Sequence, residues 1–185
     1  MRQRGFDQYA VRPPGERALM APITHIEPLE GPNLKALGFD VLTLPPAKEA
    51  LDRARDTAAL ALSGRLTLVQ NAAPGLVMYM ALYRGDADNG TVEGRRQGLA
   101  GWVSAPFLME DVIHGMSREF DADIGLQIMD STPGAGAVSP VAIAGDAGAA
   151  AGVQLFSNLK AAPLGAGGQP LQARRELELG GRRWT

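Results

Sequence analysis

One long amphipathic helix, predicted at residues 45–62, constrains the fold more than any other feature of the chain. Alanine and leucine recur there at intervals of three and four residues, and charged side chains take the opposite face. Pro45 and Pro46 suit the first turn because proline lacks an N–H group that this turn leaves unpaired, and Thr43 is a candidate cap. Gly64 ends the predicted helix, since glycine readily adopts a left-handed C-cap. The alanine-rich face either lies close against a sheet or leaves room for something else beside the helix.

Apolar and β-branched segments on both sides of this helix predict strands. The candidate strands lie at residues 23–27 before the helix and at 65–70, 76–83 and 97–104 after it. A helix followed by three consecutive strands predicts an antiparallel sheet with the helix on one face, which is an α+β fold.

A second, smaller group of elements is predicted in the rest of the chain. They are a helix that begins at Pro106 with Ser104 as its cap, strands at 124–130 and 153–157, and a terminal hairpin that turns at Gly180-Gly181. Between two of these strands, residues 131–152 contain mostly glycine, alanine, serine and proline. Few large side chains are available there to bury, so this segment is predicted to be a long mobile loop.

The composition excludes several classes of function. None of the 185 residues is cysteine, so disulfides, thiolate metal sites and cysteine nucleophiles are excluded. The net charge of −2 is too close to neutral for a non-specific nucleic-acid binder, so no nucleic-acid partner is expected. No run approaches the roughly 18 apolar residues of a membrane span, and the N-terminus lacks the apolar core of a signal peptide. A soluble fragment is therefore expected, with any exporting segment left off.

Three groups of polar residues could hold a metal, but each has a simpler structural explanation. His25 and Glu27 resemble the start of a zinc-deaminase motif that also requires cysteines. Glu110, Asp111 and His114 lie on one predicted helix, with Glu110 and His114 four residues apart, but no partner cluster is evident. Residues 86–93 have too few ligands for a calcium loop. We therefore expect no metal, no cofactor and no catalytic residue, although a small enzyme that works through carboxylates stays a weaker alternative.

Several short motifs, in this order and spacing, resemble the CHASE family. They are Ile-Glu-Pro-Leu at 26–29, Asn33, Leu-Gly-Phe-Asp at 37–40, the helix at 50–62 with Ala-Arg-Asp-Thr at 54–57, and the strands at 66–70 and 98–103. Members of this family are extracytoplasmic sensor segments of membrane-bound histidine kinases and nucleotide cyclases. The resemblance implies a long N-terminal helix followed by two PAS-like subdomains, of which the membrane-distal one binds a small ligand.

For this chain the resemblance implies a ligand-binding, membrane-distal subdomain at 1–105 and a smaller, membrane-proximal one at 106–185. Most of the long first helix, both membrane anchors and the output domain would be missing from the sequence. The expected partner is an unknown small-molecule ligand, and the intact receptor is expected to be a homodimer. The expected location is periplasmic, as one domain of a histidine kinase or diguanylate cyclase in the inner membrane.

The resemblance also implies a set of ligand-binding residues. They are Asp40, Leu62, Asn71, Val77, Tyr79 and Trp102. A carboxylate at position 40 can accept strong hydrogen bonds from ligand N–H groups, although a turn or cap role before the helix explains it equally well. If Trp102 points inward, it fills the space used by the adenine-type ligands of plant receptors, because protein interiors are tightly packed. A smaller ligand stacked on Trp102 or Tyr79 is then expected. The alternative is a filled core in a non-binding structural or dimerisation domain.

Overall fold

A computed structural model describes residues 9–116, 125–135, 152–159 and 173–185, and these form two four-stranded sheets with helices packed against them. The helices are α1 (Pro45–Thr57), α2 (Val92–Gly98) and α3 (Met109–Met116), with short 3-10 helices at Gly31–Ala36 and Val41–Thr43. The strands are β1 (Ala61–Leu62), β2 (Leu66–Thr67), β3 (Pro74–Tyr83), β4 (Leu99–Phe107), β5 (Gln127–Asp130), β6 (Val153–Ser157), β7 (Leu177–Leu179) and β8 (Arg182–Trp184). The expected α+β fold is confirmed. None of the helices described is long and apolar enough to cross a membrane.

The first sheet is built around β3, which is its longest strand. Strands β1 and β2 pair antiparallel with one edge of β3, and β4 pairs with the other edge from Leu76↔Phe107 to Tyr83↔Leu99. Alternate β3 residues share a face. The buried cluster on that face comprises Ala47, Ala50, Leu51 and Ala54 of α1 together with Val77, Tyr79 and Ala81 of β3. The small alanine side chains thus allow α1 to lie close against the sheet, as one of the two sequence interpretations expected.

The predicted long helix begins where expected but ends earlier. α1 starts at Pro45 and stops at Thr57, and Ala58 forms the left-handed C-cap with φ of 55°. Ala61 and Leu62 then pair with β3 as β1, so the prediction that the helix continues to residue 62 is wrong. Ala61 and Leu62 fit the helical spacing, but they are buried because they pair with β3 in the sheet. Thr43 is not the cap either, because its hydroxyl donates to the Asp40 carbonyl oxygen at 2.6 Å and Leu44 is the N-cap residue.

Other predicted boundaries also move. Residues 23–27 do not form the predicted strand; Ile23 instead exchanges backbone hydrogen bonds with Gly38 and Phe39. The strands predicted at 65–70, 97–104 and 124–130 occupy Leu66–Thr67, Leu99–Phe107 and Gln127–Asp130. Pro106 lies within β4, an edge strand, where a residue without an N–H group is tolerated, so the predicted helix start there is wrong. Of the predicted loop at 131–152, residues 136–151 lie outside the described residues.

The second sheet has the order β6-β5-β8-β7, and all its pairs are antiparallel. Strand β6 lies at the predicted 153–157, and β7 and β8 form the predicted terminal hairpin around Gly180-Gly181. Leu62 and Leu76 of the first sheet pack with Met109 and Trp184 in a second buried cluster. This apolar cluster joins the two sheets.

Polar contacts reinforce the junction between the sheets. Arg182, only 2% exposed, donates from Nε to Asp130 Oδ2 at 2.6 Å, and its Nη1 lies 3.6 Å from Glu49 Oε1 on α1. Arg53 donates to the same Glu49 oxygen and to the Leu62 carbonyl oxygen, each at 2.9 Å. Helix α1 is therefore tied to the second sheet through its charged face.

Candidate ligand-binding site

A cavity of about 960 Å³ lies on the face of the first sheet that carries α1. Leu51 of α1, Val77 and Tyr79 of β3 and Trp102 of β4 line it. Its other walls are the N-terminal segment 19–27, the segment 66–70 after β1, and the edge of β4 from 99 to 106. This volume is at the upper end of the roughly 300–1,000 Å³ typical of small-molecule sites.

Trp102 forms part of the cavity wall, and the cavity remains open beside it. Its indole Nε1 donates to the Leu51 carbonyl oxygen at 3.0 Å, so the ring is held against α1. Trp102 pairs with Ala81 in the β3–β4 ladder, which places it on the same face as Tyr79. With its only polar hydrogen already used, the indole offers the cavity apolar ring surface.

Tyr79 contributes the most deeply buried polar group of the cavity. The residue is 3% exposed, and its hydroxyl has no hydrogen-bond partner within the described part of the chain. The fully enclosed unpaired side-chain atoms described are Arg53 Nε and Trp184 Nε1, so the Tyr79 hydroxyl retains accessible surface, which we assign to the cavity. Burial raises the pKa of this hydroxyl well above its ordinary value, so it stays protonated and able to donate.

Asp40 is fully buried and lies behind the cavity wall, outside the set of lining residues. Its carboxylate accepts hydrogen bonds from Arg17 Nε at 2.9 Å, Ala21 N at 2.9 Å and Leu42 N at 3.2 Å. The last of these bonds caps the short 3-10 helix before α1. Since Ala21 belongs to the lining segment 19–27, Asp40 fixes the position of a cavity wall, which agrees with the turn-or-cap alternative from the sequence.

Two other residues from the predicted site lie away from the cavity. Leu62 is fully buried in the cluster that joins the sheets, because the chain leaves α1 earlier than predicted. Asn71 is exposed in the turn before β3, where its side-chain oxygen accepts a hydrogen bond from Ala73 N at 3.2 Å. Of the predicted residues, the cavity therefore brings together Val77, Tyr79 and Trp102.

The N-terminal segment 19–27 is a wall that the sequence interpretation did not assign to the site. Leu19, Met20, Ile23 and Ile26 line the cavity from this segment. Their apolar character is the only sequence signal, since the segment follows neither helical nor strand periodicity over its length. Backbone hydrogen bonds to residues 38–41 hold it in place.

Few charged side chains are found among the described residues that line the cavity. Among the described residues that line it, Glu27 is the one formally charged side chain, and both Glu27 and His25 are exposed. Within the same part of the chain, no group of three or more His, Asp or Glu side chains is placed to hold a metal ion. The cavity thus combines an apolar interior with one buried hydroxyl and a polar rim.

One protein-family model matches most of the chain. The family model of the CHASE domain matches residues 1–139, which include every segment that lines the cavity. No curated protein matches the chain. CHASE domains are extracellular sensor domains of signalling proteins and are not catalytic. On the extent of this match, the chain belongs to the CHASE domain family.

Proposed function

We propose that this chain is the ligand-binding part of a bacterial transmembrane receptor, and that a small molecule binds in the cavity beside α1. The observation that carries the proposal is the 960 Å³ cavity whose interior contains an unpaired hydroxyl, that of Tyr79. Buried polar groups in proteins are nearly always paired. A cavity with a buried polar group that no described residue satisfies is therefore suited to a molecule that supplies the partner.

In this proposal residues 1–105 form the ligand-binding subdomain and residues 106–185 a smaller, membrane-proximal one, both PAS-like. The parent protein is a histidine kinase or diguanylate cyclase of the inner membrane, homodimeric, with this part in the periplasm. Helix α1 contacts both the cavity, through Leu51, and the second sheet, through Glu49 and Arg182. A ligand shifts the receptor only if it binds one arrangement of these parts more tightly than the other.

A thermal-shift screen of small metabolites tests the proposal. A molecule that binds only the native state raises the melting temperature. Ser104 lines the cavity opposite Tyr79 on the edge strand, so Ser104→Trp should fill the space and abolish the shift. Glu178→Trp, at an exposed strand position of the second sheet, is the matched control and should preserve it. A shift that persists in Ser104→Trp would place the binding site elsewhere and contradict the proposal.

One observation favours dimerisation as a second candidate function. Leu60, Met80, Leu82 and Val103 are each at least 40% exposed, and they lie around the face of the first sheet opposite α1. Exposed apolar patches often mark protein interfaces. A structural or dimerisation domain would show concentration-dependent association that Met80→Glu abolishes, with no metabolite raising the melting temperature.

A further inference from the structure

The charges on the cavity walls exclude one class of ligand. Within the described chain, neither lysine nor arginine lines the cavity, and the one carboxylate, Glu27, is exposed. An anion moved from water into this site would lose its hydration without gaining a cation, and burial of an unpaired charge is strongly unfavourable. A cation would find its only counter-ion at an exposed position, away from the buried interior. An uncharged ligand avoids both losses.

Most of the buried and partly buried lining of the cavity is apolar. Its buried or partly buried branched aliphatic lining comprises Ile23, Ile26, Val41, Leu44, Leu51, Leu66, Leu68, Val69, Val77 and Leu99. Trp102 adds a ring face whose N–H group is already bonded to the helix. The polar lining residues Thr24 and Thr67 are exposed and belong to the rim, whereas Asn33 and Gln70 are partly buried. The side-chain amide of Asn33 already donates to the Pro28 carbonyl oxygen at 2.9 Å. A ligand that reaches the interior therefore buries mostly apolar surface, and a ring can stack on Trp102.

Tyr79 determines which polar atom the ligand needs. Its hydroxyl is a donor as well as an acceptor, and it lies within the apolar interior with no protein partner among the described residues. Tyr83, on the same strand, differs in this respect, because its hydroxyl donates to the Arg55 carbonyl oxygen at 2.5 Å. When the Tyr79 hydroxyl donates, its partner is an acceptor that carries no full charge, such as a carbonyl oxygen or a ring nitrogen.

We infer, on the basis of the function proposed above, that the ligand is an uncharged and mostly apolar ring compound whose carbonyl oxygen or ring nitrogen accepts a hydrogen bond from Tyr79. The ring lies against Trp102, and the remainder of the molecule contacts the aliphatic walls. Anionic and cationic molecules with the same skeleton are rejected by the lack of a buried counter-charge.

Four compounds with one phenyl skeleton test this inference by NMR titration of the whole chain. Acetophenone carries a neutral acceptor, benzoate is an anion and benzylamine is a cation. Ethylbenzene has neither a charge nor an acceptor. Dissociation constants of about 1 mM are expected for molecules this small. Acetophenone should bind at least about tenfold more tightly than benzoate or benzylamine, because the charged forms lose hydration without a buried partner.

The matched variant Tyr79→Phe should weaken acetophenone about three- to tenfold, which is the net effect of one hydrogen bond, and leave ethylbenzene unchanged. Equal binding of benzoate or benzylamine, an unchanged acetophenone affinity in Tyr79→Phe, or no response to acetophenone at about 10 mM would each overturn the ligand class. Ser104→Trp separates this failure from that of the proposed function. If the charged compounds bind and Ser104→Trp removes them, the cavity is still the site and only the ligand class is wrong.

Discussion

The junction between the sheets and the ligand cavity are both buried, but the junction holds a paired set of charges, whereas the cavity holds an unpaired hydroxyl. At the junction, the charges of Arg182 and Asp130 are paired with each other within 2.6 Å. In the cavity, the Tyr79 hydroxyl is almost as deeply buried and has no partner in the described chain. The buried charges of the junction are therefore paired within the chain, whereas the cavity presents a polar group that a ligand can satisfy.

The largest effect is expected at the junction. Asp130→Ala leaves the Arg182 guanidinium buried without its main partner, and loss of one member of a buried pair costs about 3–5 kcal/mol in the free energy of unfolding. Urea denaturation measures this loss. The control is Glu178→Ala, which removes an exposed pair with Arg183 and should change stability by less than about 1 kcal/mol.

Replacement of both members of the pair sharpens this result. In Asp130→Leu/Arg182→Met no charge is left uncompensated, and apolar side chains of similar size often restore much of the stability of a buried ion pair. Should the double variant be as unstable as Asp130→Ala, the pairing would not be the reason for the loss.

An intermediate effect is expected at Asp40, which anchors the cavity wall. Asp40→Asn keeps the shape of the side chain but removes the negative charge of the carboxylate to which Arg17 and Ala21 donate. The free energy of unfolding should fall by about 1.5–3 kcal/mol. The amide hydrogen of Ala21 should also exchange faster in hydrogen-exchange NMR. Asp52→Asn, on the charged side of α1, is the control and should leave the Ala21 exchange rate unchanged.

A smaller effect concerns the pH dependence of Asp56. Hydrogen bonds from Arg96 and Arg55 lower the pKa of this carboxyl below its ordinary value. A lowered folded-state pKa adds stability that is fully present above the unfolded pKa of about 4 and is lost as the pH falls below it. Because the Asp56 and Arg96 side chains are partly exposed, added salt should weaken this contribution to stability. In Asp56→Asn the free energy of unfolding should therefore fall less steeply as the pH is lowered through this range. An unchanged pH dependence would show that Asp56 is not the group responsible.

The smallest effect on stability is expected at Tyr79. Tyr79→Phe removes a hydroxyl that bonds to no described residue, so the free energy of unfolding should change by less than about 0.5 kcal/mol. Tyr83→Phe, the matched variant, loses the bond to Arg55 and should cost about 1 kcal/mol. Thermal denaturation of both proteins makes the comparison, and a larger loss in Tyr79→Phe would mean that its hydroxyl is already satisfied in the free protein.

The same two regions show how far the sequence predicts the structure. Strand β3, the start of α1 at Pro45 and the hairpin at Gly180 follow from local patterns, because proline, glycine and apolar alternation act within a few residues. The end of α1 does not, since the pairing of Ala61 and Leu62 with β3 overrides helical spacing. Tertiary contacts of this kind are not encoded in local propensity.

The candidate site was predictable only in part for the same reason. Val77, Tyr79 and Trp102 lie on neighbouring strands, whose alternation places them on one face of the sheet. The role of Asp40 depends on Arg17 and Ala21, which are about twenty residues away and reach it only in the folded chain. Buried carboxylates in ligand sites and in structural anchors look alike in sequence, and only their partners distinguish them.

The turn between β7 and β8 packs closely against Leu62 of β1 and against the Arg53 side chain of α1. A Cβ atom added to Gly181 would lie 2.5 Å from Arg53 Nε, and one added to Gly180 would lie 2.7 Å from Leu62 N. Gly180 also accepts a backbone hydrogen bond from Leu62 at 2.9 Å. A side chain at position 180 would therefore collide with the backbone of β1, and one at position 181 would displace the Arg53 side chain that bonds to Glu49 and to Leu62, so the last hairpin can dock on α1 and β1 only with two glycines at its tip.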